Sequence, residues 1–212
     1  MPQKMIGVLV SGSGSNLQAI IDAIESGRID ARIAVVISDR PGAYALERAR
    51  KHGIKALCIS RGGRDSAALN AAILQALEEA GVDLVVLAGF LSILDERVVS
   101  RYKNAIMNIH PALIPSFCGP GYYGERVHEA ALRYGVKVSG ATVHFVDEGT
   151  DTGPVILQEC VPVLHDDDAH TLAARVLKVE HRLLPEAVRL FVGDRIRVEG
   201  RRVIIMQEEN GR

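Results

Sequence analysis

The feature that most constrains this chain is a recurring order: a short apolar run, a small-residue turn, then an amphipathic stretch. "MIGVLVS" (Met5 to Ser11) is a continuous apolar run of strand length, and "NLQAIIDAIESG" sets Leu17, Ile20, Ile21 and Ile24 at helical spacing. The unit repeats as "ARIAVVISD", the turn "RPGA" and "YALERARKHG". It repeats again as "IKALCIS" with a helix from Asp65 to Ala80, and as "VDLVVLAGF" with a short helix from Asp95 to Tyr102. Apolar strands alternating with amphipathic helices require a parallel sheet covered on both faces, because right-handed crossover helices bury both sides of such strands.

The order changes after "AIMNIHPALIPSFCGPGYYG", Ala105 to Gly124. "RVHEAALRYG" still predicts a helix, but "KVSGATVHFV" and "GPVILQECVPV" are two strands with no helix between them. A long helix from Asp168 to Phe191 follows, with Leu172, Val176, Val179, Leu183 and Ala187 on one stripe and Pro185 expected to bend it. "RIRVEGRRVIIM" predicts a terminal hairpin around Glu199 and Gly200. The reading is one α/β domain over residues 1–212, a mostly parallel sheet with helices on both faces, finished by antiparallel strands and a C-terminal hairpin.

Composition narrows the partners. With 48% hydrophobic residues and a formal charge of -1, the chain can fill a core but shows no broad basic surface. That favours small-molecule substrates over nucleic acid. Cys58, Cys118 and Cys160 lack metal-ligand spacing and are expected to be free thiols packed in apolar surroundings, with no metal. The apolar run at the N-terminus is too short to span a membrane and lacks a signal-cleavage pattern, so the expected location is cytoplasmic.

Three stretches carry chemistry. In "SGSGSN", Ser11 to Asn16, small residues between strand and helix let backbone amides converge at a helix N-terminus, which suits phosphate. The competing reading is a plain turn with Ser15 or Asn16 capping the helix. Leu17 stands where a dinucleotide fingerprint needs a third glycine, and no Gly-Lys-Ser/Thr ending is present, which argues against nicotinamide and nucleoside triphosphates. In "AIMNIHP", Asn108 and His110 are two apart and share one side of a strand. Ligands of open parallel sheets bind beyond the carboxyl ends of the strands. An amide that cannot ionise beside an imidazole suits acyl transfer, where an oxygen becomes negative and a proton must move. The third stretch is "DEGTDTG", whose Asp147, Glu148 and Asp151 lie between strands expected to return to that edge. One of these carboxylates, set close to His110, is expected to raise its pKa and keep it charged. Spacing does not choose among them.

Taken together, "SGSGSNLQAI", "DLVVLAGFLSIL", "NIHPALIP", "GATVHFVDEGTDTGPVILQ" and "VEHRLLP" closely resemble, in order and spacing, the phosphoribosylglycinamide formyltransferases, folate-dependent enzymes of purine synthesis. The resemblance implies a Rossmann-like domain with phosphate binding in about residues 1–100 and catalysis and folate binding in about 101–212. It implies direct transfer of the formyl group of 10-formyltetrahydrofolate, a co-substrate, to the amine of glycinamide ribonucleotide. The family's catalytic asparagine, histidine and aspartate fall on Asn108, His110 and Asp151. Gly14, Ser15 and Asn16 would hold the substrate phosphate, Gly89 would permit close approach, and Leu177, Lys178, Val179 and Glu180 would line the ribose and glycinamide. The pteridine would lie against Leu91, Ser92, Ile93 and Leu94 and the loop Asp147, Glu148, Gly149, Thr150 and Asp151, with Asn108 and His144 beside it. Ser92 and Ser66 stand where many relatives carry arginine, and "SFCGPGYYGERVHEAAL" departs from the commoner loop. Alternative readings are a formyltetrahydrofolate hydrolase and a non-catalytic nucleotide- or folate-binding protein. Monomer and homodimer are equally open.

Overall fold

A computed structural model describes residues 2–207. Five strands, β1 (Lys4–Val10), β2 (Ala31–Ser38), β3 (Ala56–Cys58), β4 (Leu84–Leu87) and β5 (Ile106–His110), lie parallel in the order β3-β2-β1-β4-β5. Two antiparallel strands, β6 (Val138–Phe145) and β7 (Val155–Pro162), complete the seven-stranded sheet beyond β5. The helices are α1 (Ser15–Glu25), α2 (Tyr44–Lys51), α3 (Ser66–Glu79), α4 (Glu96–Arg101), α5 (Glu125–Tyr134) and α6 (Ala169–Val192). A separate hairpin of β8 (Ile196–Glu199) and β9 (Arg202–Ile205) follows, and at its turn Arg201 Nη2 donates to the Thr152 carbonyl at 2.7 Å.

Helix starts follow their side chains. Asp65 accepts from Ala68 N–H at 2.7 Å to open α3, Asp95 accepts from the amides of Arg97 and Val98 to open α4, and Asp168 with Thr171 forms a reciprocal capping box on α6. Helix α6 is continuous through Pro185, which is buried, and its stripe Leu172, Val176, Val179, Leu183 and Ala187 lies in the core. Among the described residues no helix is long and apolar enough to cross a membrane. The cysteines depart from expectation: all three are free, but Cys58 and Cys160 are exposed and Cys118 is half-buried, so none is core packing.

The two faces of the sheet are covered unequally. One face carries a core drawn from β1, β2, β4, β5, β6 and β7 with α1, α2, α5 and α6. On the other, α3 contributes Leu69, Ile73, Ala76 and Leu77 and α4 contributes Val98 and Val99, packed on β1, β2, β4 and β5; no residue of β6 or β7 joins this second core. The helical layer on that face stops at β5.

Candidate active site

Strand alternation decides what lies where that layer stops. Met107 and Ile109 point into the first core, whereas Asn108 and His110 point to the opposite face. Their antiparallel partners are His144 and Thr142, while Ala141, Val143 and Phe145 join Met107 in the first core. Beyond the α3 and α4 layer, these polar side chains are roofed by two loops, Pro111 to Gly124 and Val146 to Pro154.

The β6–β7 loop reaches them by a route the sequence did not show. Because β6 is antiparallel, Phe145 pairs with Met107 and Val146 N–H donates to the Ile106 carbonyl, so the loop leaves level with the start of β5 rather than at its carboxyl end. It then folds back over the sheet. Gly153 makes the fold-back possible, since any Cβ there would overlap the Phe145 carbonyl oxygen. Asp151 arrives with its carboxylate 3.6 Å from His110 Nδ1 and 3.6 Å from His144 Nε2. Of the three candidate acids, Asp151 is the one brought to the histidines; Asp147 instead accepts from Gly149 N–H and the Thr152 hydroxyl within its own loop.

The remaining hydrogen bonds fix orientation. Asn108 Nδ2 donates to His144 Nε2 at 3.1 Å and to Asp151 Oδ1 at 3.5 Å. Both imidazoles face backbone carbonyls: His110 Nε2 donates to Phe117 O at 2.9 Å and His144 Nδ1 to Phe145 O at 2.8 Å. A carbonyl can only accept, so each of those ring nitrogens carries a proton. Gly119 N–H donates to Asp151 Oδ2 at 2.9 Å. Nothing in the side-chain sequence marks Phe117 and Gly119 for these contacts, because both act through backbone atoms.

Burial governs the charges. Only 4% of His110 is exposed, and this desolvation lowers its pKa below the ordinary value, outweighing the Asp151 charge and the Phe117 carbonyl that raise it. The expectation of a raised His110 is therefore corrected: burial shifts the ring toward its neutral form. Burial also works to raise Asp151, but His144, the Gly119 amide and the positive charge His110 carries when protonated hold it below the usual carboxylate range. Behind His110, His128 of α5 is 4% exposed, its Nδ1 has no partner, and burial followed by the charge of His110 pushes it down to about 4.

A cavity of about 550 Å³ opens above this cluster. It gathers Leu91, Ser92, Ile93, Leu94, Asn108, His144 and the loop Asp147 to Asp151, the residues expected around a pteridine, together with His110 and with Gly89, which was expected at the nucleotide substrate. Gly89 has open space where a side chain would project. Ser92 turns to Asp39 at 2.7 Å, and the same carboxylate accepts from Ser11 Oγ at 2.7 Å. Tyr122 and Tyr123, which sequence reasoning left unassigned, and Arg40 also line the cavity.

The phosphate-type turn is a second, adjoining feature. It carries no side-chain cap: Gly14 itself is the N-cap of α1, at φ 74°, so the expected Ser15 or Asn16 cap is absent and the first amides of α1 lack a side-chain acceptor. A Cβ at Gly14 would come within 2.6 Å of Ala45 Cβ and 2.9 Å of Ala45 Cα. The Asn16 side chain crosses instead to α6, donating to Glu180 at 2.7 Å, and its Oδ1 is buried without a partner. Burial raises the Glu180 pKa, with the Asn16 bond opposing it. On α6, Leu177 is half-buried and Lys178 exposed, but Val179 lies in the core, 3% exposed. None of the four residues 177–180 lines the cavity.

Residues 4–188 match the model of the formyl transferase family. Glycinamide ribonucleotide transformylase 1 from Symbiobacterium toebii is 49% identical, with a TM-score of 0.92 over 97% of this chain and 95% of that one. The phosphoribosylglycinamide formyltransferase of Haemophilus influenzae is 38% identical over 92% of this chain and 91% of its own length. The trifunctional purine biosynthetic protein adenosine-3 of Drosophila melanogaster is 44% identical, and this chain spans only 14% of it. Several relatives from plants and animals are likewise longer, the chain covering less than two thirds of their length. An open-sided α/β sheet with Asn108, His110 and Asp151 gathered under two loops, together with these likenesses across almost its whole length, places the chain in the formyl transferase family, among the phosphoribosylglycinamide formyltransferases.

Proposed function

We propose that this chain transfers the formyl group of 10-formyltetrahydrofolate to the amine of glycinamide ribonucleotide, giving the formylated nucleotide and tetrahydrofolate. The observation that carries the reading is the convergence of Asn108, His110 and Asp151, from two loop-separated segments, on the floor of one cavity. The folate lies in that cavity against Leu91 to Leu94 and the Asp147 to Asp151 loop. The nucleotide phosphate takes the uncapped amides of α1 beyond Gly14, and Asn16 Oδ1 and Glu180 receive donors from the ribose and glycinamide. Small diffusible substrates suit an enzyme of the cytoplasm, and no metal takes part in the proposed chemistry.

The amine nitrogen attacks the formyl carbon, and the carbonyl π electrons move onto oxygen. Asn108 turns its weakly used Nδ2 hydrogen, now 3.5 Å from Asp151, toward that oxyanion. A neutral His110 presents an Nδ1 lone pair to the Asp151 carboxylate, an unfavourable pairing that protonation converts into an ion pair. Nδ1 is therefore the atom that gains a proton as the amine loses one, with Asp151 ordering the intervening water. The tetrahedral intermediate collapses as the bond from carbon to the folate nitrogen breaks, and the proton passes to that nitrogen.

The test is an absorbance assay of folate conversion with both substrates, beside a control lacking the nucleotide. Asp151→Asn should reduce turnover by about 10² to 10³, the scale of losing one preorganised electrostatic group, with little change in KM. Unchanged turnover would remove Asp151 from the mechanism, and folate conversion without nucleotide would mean hydrolysis instead.

A further inference from the structure

The loop from Pro111 to Gly124 touches the reacting groups twice, through backbone atoms alone. Phe117 O accepts from His110 Nε2–H at 2.9 Å, and two residues on Gly119 N–H donates to Asp151 Oδ2 at 2.9 Å. One short segment thus holds both members of the His110–Asp151 pair. Phe117 has φ 50° and Asp151 φ 58°, left-handed conformations that side-chain-bearing residues hold only when their surroundings enforce them. For Phe117 the surroundings are aromatic. Its ring packs edge-on against Tyr134 at 5.9 Å between centroids and 74° between planes, and against Tyr122 at 6.4 Å and 62°. Tyr134, in the last turn of α5, is 80% exposed and lies outside the cavity lining.

We infer that Phe117, Tyr122 and Tyr134 form an aromatic latch, in which Tyr134 is a positioning residue that keeps the Phe117 carbonyl and the Gly119 amide on His110 and Asp151. This inference rests on the proposed roles of His110 and Asp151 and adds a group remote from both. An 80% exposed tyrosine contributes little to the core, so its edge contact acts mainly on where the loop sits. The charged and titratable groups facing His110 are Asp151 from the β6–β7 loop, His144 from β6 and His128 from α5. Of the groups acting on His110, Asp151 and the Phe117 carbonyl favour its protonated form, and both are held by the latched loop. Loosening the latch weakens both contacts and admits water to a ring whose burial is the dominant influence, so the titration of His110 moves.

The test combines steady-state kinetics with ¹⁵N NMR titration of the His110 ring, assigned by its loss in His110→Asn. Tyr134→Ala should lower kcat by about three- to tenfold, leave KM for the nucleotide and the melting temperature nearly unchanged, and displace the His110 titration from its wild-type pH. Tyr134→Phe, which keeps the ring, should restore both; Phe117→Ala should exceed Tyr134→Ala in both. A Tyr134→Ala enzyme with wild-type kcat and a wild-type His110 titration overturns the latch. Because the titration needs no substrate, it reads the latch even if Asp151→Asn retains full turnover and the proposed roles fail.

Discussion

The two faces of β5 divide the labour of this protein within five residues. On one face Met107, fully buried, and Ile109, 7% exposed, are sealed by α5, α6 and their neighbours. On the other, Asn108 and His110 lie beyond the reach of α3 and α4, under loops. The same backbone supports both because alternate side chains emerge on opposite sides, so a covered face can supply stability directly beneath an uncovered face that carries the proposed chemistry. A site built this way sits on a rigid strand and owes its access to a helical layer that ends two strands early.

Exchanging the losses across β5 is the strongest way to break this comparison. Asn108→Ala should cost about 10² to 10³ in turnover with a nearly unchanged melting temperature. Met107→Ala should cost about 2 to 5 kcal/mol of stability while the folded fraction keeps most of its turnover. Denaturant unfolding and kinetics on the same samples decide it. If Met107→Ala loses turnover as heavily as Asn108→Ala, the division fails.

His128 sharpens the comparison, since it belongs to α5 yet stands against His110. Its pKa of about 4 lies below its ordinary 6.5, so the unfolded chain binds its proton first. The stability it permits is complete above about pH 6.5 and declines as pH falls toward about 4, by up to about 3 kcal/mol. His128→Leu should flatten stability against pH in that window, and an undiminished slope would assign the acid sensitivity elsewhere. The smallest effect should come from the phosphate-type turn. Gly14→Ala, forced into a left-handed backbone and against Ala45, should cost about 1 to 3 kcal/mol and raise KM for the nucleotide, leaving the titration of His110 alone.

What the sequence disclosed follows the range of the interactions involved. Apolar periodicity located the elements and the change to antiparallel strands, because these are local patterns. Asn108 and His110 were legible as polar residues two apart at the end of an apolar run. The choice of Asp151 over Asp147 and Glu148 came through family resemblance, since it depends on a loop that doubles back over β5. The direction of the His110 shift was misread because a nearby carboxylate is visible in a sequence while desolvation is a property of the packed fold. Phe117 and Gly119 were invisible because they contribute only a carbonyl and an amide, which every residue but proline offers in full. Val179 was legible as part of the buried stripe, and its side chain does lie in the core.

The hairpin of β8 and β9 forms a two-stranded sheet of its own, and Arg201 at its turn holds the carbonyl of Thr152, the residue after Asp151. It acts as an external strut on the segment that must carry a carboxylate across β5. Engineering of this enzyme therefore has an unobvious boundary: trimming the chain before Arg201, or fusing a partner so that the hairpin is pulled away, would leave the seven-stranded sheet intact while slackening its most exacting loop. A shortened enzyme that melts normally and turns over poorly would be the mark of that strut.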